Sequence, residues 1–446
     1  MTAGVEWKQI LLFSLPIMLG QLLQQLYNTV DGIVVGNYVG EAALAAVGTC
    51  SSLVFLFLAV AMGLGNGAAI MISQFFGARR YQDLREAAST SFLLLGVLGV
   101  VFSILGAALA YPLLAGMLNV EAGPLREQAV TYFRLYSIGL MFQFGYNAVA
   151  YALRAIGDSK ATLYFLLISS VLNLILDLLF VIAFHWGVAG AAIATVLSQL
   201  ASMIASLIYM HRKYELLRFG RGELKFVPEK CRLCLKLGIP TAAQQAVIAL
   251  GSLAVQRLIN SFGQYTMAAC TVGFRLESYC MVSIGGLNMG MSTFTGQNVG
   301  AGKLERVRRG LRATLVMEFG ITAVISTLMY IFASGLSRLF GVSGEALEQA
   351  VMYLRWQALF FPMFSIYFGF MGVIQGSGDV IVASMCSLSS LFVRVIAAYL
   401  FAYGLHLGYA SCWYCIPVGW VVCLTMAALR YLSGKWKEKA VVKAEG

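Results

Sequence analysis

The chain has 446 residues, of which 60% are hydrophobic and only 11% carry a charge. Soluble domains carry roughly 25% charged residues and have too little interior to bury this much apolar surface, so a soluble enzyme is disfavoured. Disorder is excluded as well, because disordered chains are polar and poor in aromatic residues.

Twelve apolar segments follow one another along the chain, each at least as long as the ~20 residues with which an α-helix crosses a bilayer. Together with the composition, they predict an all-α polytopic membrane protein with twelve transmembrane helices. The predicted spans comprise residues 10–36, 44–75, 88–118, 127–152, 161–184, 188–210, 233–260, 265–296, 313–340, 348–375, 380–404 and 409–431.

A polar, basic segment containing Gly220, Gly222 and Pro228 separates the spans into two sets of six. We interpret this segment as a cytoplasmic linker and not as a domain. The predicted order is an N-terminal six-helix lobe, a linker, a C-terminal six-helix lobe and a basic tail, at residues 1–210, 211–232, 233–431 and 432–446.

Most of the 31 Lys and Arg lie in predicted loops on one side of the membrane, and they account for the net charge of +11. Lys and Arg accumulate in cytoplasmic loops, so both termini of this multi-pass cell-membrane protein are expected in the cytoplasm. The basic residues are scattered over short loops instead of gathering on one face, which argues against nucleic-acid binding.

The second half of the chain repeats the first at a nearly constant offset. Matching pairs at shifts of 221 to 224 residues include Pro16 with Pro240, Gly63 with Gly286, Gln74 with Gln297, Gly157-Asp158 with Gly378-Asp379, and His185 with His406. Each half has an even number of spans, so the halves insert the same way up about a pseudo-two-fold axis along the membrane normal. Two such lobes around a central site are the architecture of an alternating-access transporter.

The first span carries a polar stripe at spacings of three and four residues, which places Gln21, Gln24, Asn28 and Asp31 on one side of a helix. Such a stripe cannot face lipid, because its donors and acceptors would be left unsatisfied. We expect these side chains to line the bundle interior or a substrate cavity. Polar residues of the seventh span, Gln245 and Gln256, are assigned to the same cavity.

Asp31 and Asp177 are ionisable residues at membrane depth, and such residues tend to mark ion or substrate paths. Asn173 is four residues before Asp177 and therefore lies on the same helix face. Two carboxylates in one low-dielectric pocket do not both ionise cheaply, so one is expected to retain a proton near neutral pH. Alternatively, their oxygens and the Asn173 amide coordinate Na⁺, or the three residues form a purely structural polar cluster.

The C-terminal half has a different set of deep charges, namely Glu277, Arg257, Arg275 and Arg394. Arg275 and Glu277 are two residues apart and do not face each other on a helix. Glu277 is therefore predicted to pair with Arg394 or Arg257, and either structural pairing or substrate contact explains this group. A further acid, Glu318, is expected nearer the cytoplasmic interface.

The sequence resembles the multidrug and toxic compound extrusion (MATE) transporters over almost its whole length. The resemblance is carried by the following residues and runs: Leu15-Pro16, Leu26 to Asp31, Gly40, Ala45 to Gly48, Gln74 to Ala78, Gly157-Asp158, Asn173 to Asp177, Gly187 with Gly190 to Ala192, and Gln297-Asn298 with Gly300-Ala301.

This resemblance implies two six-helix lobes around a V-shaped cleft, and export of cationic or amphipathic drugs driven by inward H⁺ or Na⁺. The N-lobe cation network of the family matches Tyr27, Asp31, Asn173, Asp177 and Thr195, and less directly Tyr132. The C-lobe carboxylates with which some members bind Na⁺ are missing, because the seventh span has Gln244, Gln245 and Gln256 and the tenth has no acid beyond Glu348 at its outer end. Coupling through the N-lobe is therefore favoured.

No cofactor is expected beyond the coupling ion, and the predicted partners are membrane lipids and small organic molecules, with the chain acting as a monomer. A lipid-linked oligosaccharide flippase of related fold is the alternative function, which the deep Arg residues favour and the Asp pair disfavours. A membrane enzyme or channel has no supporting motif in the sequence.

Overall fold

The computed structural model describes residues 1–118, 122–220 and 222–442, and within these ranges the chain is all-helical. Twelve long helices each coincide with one predicted span. They are α1 (Glu6–Tyr38), α2 (Glu41–Gly77), α3 (Tyr81–Pro112), α4 (Pro124–Ile156), α5 (Ser159–Asp177), α6 (Gly187–Lys213), α7 (Pro228–Ser261), α8 (Gln264–Gly300), α9 (Leu304–Leu339), α10 (Gly344–Gly376), α11 (Val380–Tyr399) and α12 (Ser411–Leu432).

Within the described residues, ten of these helices are long and apolar enough to cross a membrane, and α4 and α8 are the two that are more polar. The repeat relates each of them to an apolar helix, α4 to α10 and α8 to α2. In its own half α4 packs against α2, α3 and α6, and α10 packs against α8, α9 and α12 in the same way. The repeat seen in the sequence is therefore a repeat of helix packing.

The connection between the halves is shorter than the predicted linker. Helix α6 continues to Lys213 and α7 begins at Pro228, a residue favoured in the first helical turn because it has no amide hydrogen to leave unpaired. Arg85 Nη2 donates to the Arg218 carbonyl at 3.0 Å and to Glu223 at 3.0 Å, which ties this connection to α3.

The chain forms two compact units. The N-terminal unit comprises Leu19–Ala242. The C-terminal unit comprises the described residues from Ala243 onward together with Met1–Met18. Each change of unit occurs two residues after a proline inside a helix, Pro16 in α1 and Pro240 in α7. Proline removes one helical hydrogen bond, so each long helix has a weak point where it passes from one unit to the other.

Glycine permits close helix contacts by the first segments of α1 and α7, residues 6–18 and 228–242, each of which belongs to a different unit from the rest of its helix. A Cβ on Gly67 of α2 would lie 2.7 Å from the amide nitrogen of Gly238 in α7. A Cβ on Gly290 of α8 would collide with the Ser14 hydroxyl of α1. The spacing Gly-x3-Gly permits close helix approach, so the pairs Gly63 with Gly67 in α2 and Gly286 with Gly290 in α8 are packing positions.

Short π-helical segments follow the fifth helix of each half, at Leu178–Ala183 after α5 and at Leu400–Gly404 after α11. Each is followed by a histidine with positive φ, His185 at 55° and His406 at 52°. Because both halves share this irregularity, it belongs to the scaffold. It also makes Asp177 the last α-helical residue of α5.

Candidate cation site and C-terminal cavity

The N-terminal unit brings Asp31, Asn173 and Asp177 together from two helices. Asp177 and Asn173 on α5 are each 1% exposed, and Thr195 on α6 is 6% exposed. The Asp31 carboxyl on α1 contacts the Asp177 carboxyl at hydrogen-bonding distance. The predicted convergence of the two acids is therefore present in the structure.

Asn173 links the acids to α6. With its amide oriented to satisfy both neighbours, Asn173 Nδ2 donates to Asp177 Oδ2 at 2.6 Å and its oxygen accepts from the Thr195 amide at 3.1 Å. The Thr195 hydroxyl donates to the Ala191 carbonyl at 3.0 Å and is hydrogen-bonded to the Tyr27 side chain. The polar set that resemblance assigns to the cation network is thus a single connected group.

Two oxygens of this group have no hydrogen-bond partner among the described residues, Asp31 Oδ1 and Asp177 Oδ1, and both atoms are buried. Two unit negative charges 4 Å apart repel by about 4 kcal/mol at an effective dielectric constant of 20. A proton shared between the carboxyls, or a cation held by their free oxygens, removes this repulsion. The residues present therefore fit a small monovalent cation.

Tyr136 is a neighbour of this group that sequence reasoning missed. Its ring stacks on Tyr132 with centroids 5.8 Å apart, it lies near Asp31, and its hydroxyl donates to Gln143 Oε1 at 3.3 Å. Its position four residues after Tyr132 places it on the same face of α4 and could have indicated that it lies near the same group.

The residues predicted to line a substrate cavity are divided between the two units. On α1, Gln21 is half-buried, and Gln24 and Asn28 are exposed. In the C-terminal unit, Gln245 lines a cavity of about 380 Å³. Gln256 lines a neighbouring cavity and donates to Asn260 Oδ1 at 2.8 Å.

Of the predicted C-terminal charged network, Glu277 and Arg394 share one location, because both line the 380 Å³ cavity. Arg257 and Arg275 are exposed. Among the described residues Glu277 forms no ion pair within 4.0 Å, so the expected pairing with Arg394 or Arg257 is not formed. Its carboxylate instead accepts from the Tyr353 hydroxyl at 3.3 Å.

Glu318, the further acid of the C-terminal half, is fully buried on α9. Helix α9 turns this side chain toward the backbone of Gly369 in α10. Its burial between helices does not test the expected position near the cytoplasmic interface, which stays a prediction.

Comparison with known proteins places the chain in a family. The MatE family model matches residues 16–179 and 240–400, one match in each half of the chain. The chain therefore belongs to the MatE family of multidrug transporters, which are multi-pass membrane proteins and not enzymes.

Two curated relatives illustrate the similarity. A probable multidrug resistance protein of Bacillus subtilis (strain 168), YpnP, is 32% identical over 98% of this chain and 97% of its own length. The multidrug export protein MepA of Staphylococcus haemolyticus (strain JCSC1435) is 25% identical over 84% of this chain and 82% of its own.

Solved structures of similar proteins share the fold. A MOP superfamily transporter from Pyrococcus furiosus superposes with a TM-score of 0.91 at 24% identity, over 97% of both chains. A multidrug resistance MATE transporter in an outward-facing conformation gives a TM-score of 0.90 at 25% identity, over 98% of this chain and 97% of that one.

Proposed function

We propose that this transporter exports cationic or amphipathic organic compounds in exchange for an inward-moving cation bound at Asp31 and Asp177. The observation that carries the proposal is the contact between the Asp31 and Asp177 carboxyls, each of which has a buried oxygen without a hydrogen-bond partner among the described residues. A site of this kind changes its charge with cation occupancy, and charge in a low-dielectric pocket is costly.

The coupling follows from competition for the same negative charge. When the small cation is bound, Asp31 and Asp177 can stay in contact and α1 is held against α5. When it leaves, the two carboxylates repel each other, and an organic cation drawn from the cytoplasm provides the missing positive charge. Alternating access then exchanges one cation for the other across the membrane.

The direct contact between the carboxyls supports H⁺ over Na⁺ as the coupling ion. A shared proton needs the two oxygens at hydrogen-bonding distance, whereas Na⁺ has to lie between them with several oxygens around it. In addition, the Asn173 oxygen already accepts from the Thr195 amide at 3.1 Å and is not free to act as a ligand.

Reconstituted vesicles with an imposed proton or sodium gradient test this proposal directly. We expect a proton gradient alone to drive substrate export, and Asp31→Asn and Asp177→Asn to reduce driven export at least about tenfold. Glu223→Gln is the matched control, because it neutralises an exposed carboxylate whose partner is Arg85. Wild-type export in both Asp variants would refute the site, and export driven by sodium alone would refute the ion.

We further expect the chain to act as a monomer in the cell membrane, in contact with lipids, with both termini in the cytoplasm and no cofactor. The orientation rests on the basic residues of the predicted inner loops. Single added cysteines in the tail and in the connection between α6 and α7 test it, since an impermeant thiol reagent should label neither in intact cells.

A further inference from the structure

The 380 Å³ cavity of the C-terminal unit is a second feature that coupling through Asp31 and Asp177 does not use. It lies among α7, α8, α10, α11 and α12, and its volume is typical of small-molecule sites, which run from about 300 to 1,000 Å³. The repeat gives the N-terminal half no equivalent charges, because Arg394 corresponds to Asn173 and Glu277 to an apolar residue.

The cavity wall carries one charge of each sign, and the two groups form no direct ion pair with each other. Among the described residues, Arg394 and Glu277 form no ion pair within 4.0 Å, with each other or with another side chain. Arg394 Nε is buried without a hydrogen-bond partner, although the guanidinium reaches the Cys415 sulfur. Unpaired charges at membrane depth are costly and mark binding sites.

Aromatic rings form another part of the wall. The rings of Phe364 and Trp420 stack with centroids 4.3 Å apart and an interplanar angle of 9°, and Tyr367 stacks on Phe364 at 5.9 Å. Met281 and Met371 line the cavity beside them. This surface is flat and apolar, with adaptable thioether side chains at its edge, and it suits a planar ring.

Another part of the wall is an amide whose oxygen has no hydrogen-bond partner among the described residues. Gln244 Oε1 is buried without a hydrogen bond, and the Gln375 side chain lines the same cavity. The site therefore offers a cationic group that can bind an anion, Arg394, and an anionic group that can bind a cation, Glu277. It also offers a neutral amide and an aromatic wall.

We propose that this cavity is a substrate site for planar aromatic zwitterions, with the ligand's carboxylate on Arg394 and its ammonium group on Glu277. An organic cation would neutralise Glu277 but be repelled by Arg394. An organic anion would neutralise Arg394 but be repelled by Glu277. A ligand with both charges satisfies both side chains at once. The inference rests on the proposed export function and names a substrate class for it.

Equilibrium binding to the full-length protein in lipid nanodiscs tests the site without any gradient. Three probes share the indole ring and a short side chain and differ in the charged groups that they carry: tryptophan is a zwitterion, tryptamine lacks the carboxylate and is a cation, and indole-3-propionate lacks the ammonium group and is an anion. We expect calorimetry to give tryptophan the lowest Kd of the three. Because no transport is measured, failure here is distinguishable from failure of proton-driven export.

Charge variants assign the contacts. Arg394→Gln should weaken tryptophan and indole-3-propionate at least about tenfold, the loss expected for a charge-assisted hydrogen bond, and leave tryptamine no weaker. Glu277→Gln should weaken tryptophan and tryptamine instead. Arg275→Gln is the matched control, because it removes an exposed arginine of the same helix as Glu277, and should bind all three like the wild type.

The proposal is overturned if the three probes bind equally, if none binds, or if Arg275→Gln has the same effect as Arg394→Gln. Thermal unfolding checks that each variant folds. Where Arg394→Gln does not fold, two other variants replace it. Arg394→Lys keeps the positive charge, and Ser387→Phe fills the cavity without removing a charged group. Tryptophan binding that survives Ser387→Phe would also overturn the proposal.

Discussion

Asp379 and Arg430 form a largely buried ion pair, with Arg430 Nε 2.6 Å from Asp379 Oδ2, the aspartate 4% exposed and the arginine side chain 19% exposed. Shifting both positions by 221 residues gives Asp158 and Tyr209, whose hydroxyl donates to Asp158 Oδ2 at 2.8 Å. In each half, the aspartate before the fifth helix is therefore held by a side chain near the end of the sixth.

Replacing Asp379 by alanine should destabilise the protein by about 3 kcal/mol, because it leaves the Arg430 charge largely buried and uncompensated. Denaturant titration in mixed micelles measures the change. Glu305→Ala is the control, since it breaks the exposed pair with Arg308 and should cost less than about 1 kcal/mol. Equal losses in the two variants would show that burial does not govern the pair.

The corresponding aspartate of the first half, Asp158, should make the free energy of unfolding depend on pH. Burial opposes ionisation of this carboxyl, but hydrogen bonds from Tyr214, Tyr209, Lys213 and the Ala161 amide outweigh it and hold its pKa below the ordinary value of 3.8. The folded state thus binds this proton less readily than the unfolded state, and the carboxylate stabilises the fold above the unfolded pKa.

This contribution should be constant from neutral pH down to about pH 5 and disappear as the pH falls through the folded pKa. Comparing the unfolding midpoints of wild type and Asp158→Asn across that range measures it. The wild type should be the more stable at neutral pH, and the two curves should converge in acid. A difference that grows below pH 4 would contradict the assignment.

Sequence reasoning could predict the helices, the repeat and the meeting of Asp31 with Asp177, because these depend on local pattern. Apolar runs of span length can only be helices in a bilayer. Asp31 and Asp177 both lie well along spans that begin on the same side, so their depths agree.

The rest depends on how each helix is rotated about its axis, and a single sequence does not contain that information. Glu277 points to Tyr353 instead of forming the expected ion pair, and Glu318 turns to the interior. Tyr136 reaches the Asp31 region only through the packing of α4. The exchange of the first segments of α1 and α7 between units likewise follows from tertiary contacts and not from the repeat.

Replacing Arg79 by glycine should stabilise the protein by about 0.5–1 kcal/mol. Arg79 holds a φ of 58° after α2, whereas Gly302 holds 70° at the repeat position after α8. Glycine adopts this left-handed conformation without the strain that a Cβ introduces. The reciprocal Gly302→Ala should destabilise by a similar amount, and denaturant titration of both variants would show opposite signs. Destabilisation by Arg79→Gly would contradict the argument.

Replacing Asn173 by leucine should reduce proton-driven export about tenfold, because it removes the 2.6 Å hydrogen bond to Asp177 and the link to Thr195. Initial rates in proteoliposomes measure the effect. Ser202→Ala is the matched control, since it removes a hydrogen bond from α6 to the Phe165 carbonyl of α5. If both variants lose export equally, Asn173 acts through helix packing and not through the carboxyls.

Glu318→Gln should leave the fold at least as stable as the wild type and export unchanged. Glu318 is fully buried and has no ion-pair partner among the described residues. The neighbouring Gly369 backbone offsets only part of the desolvation of an ionised carboxylate there. A neutral amide of the same shape avoids that cost. Denaturant titration and proton-driven export measured on one preparation check both statements. Loss of export with stability intact would instead make Glu318 a second proton-binding residue, outside the Asp31 and Asp177 site.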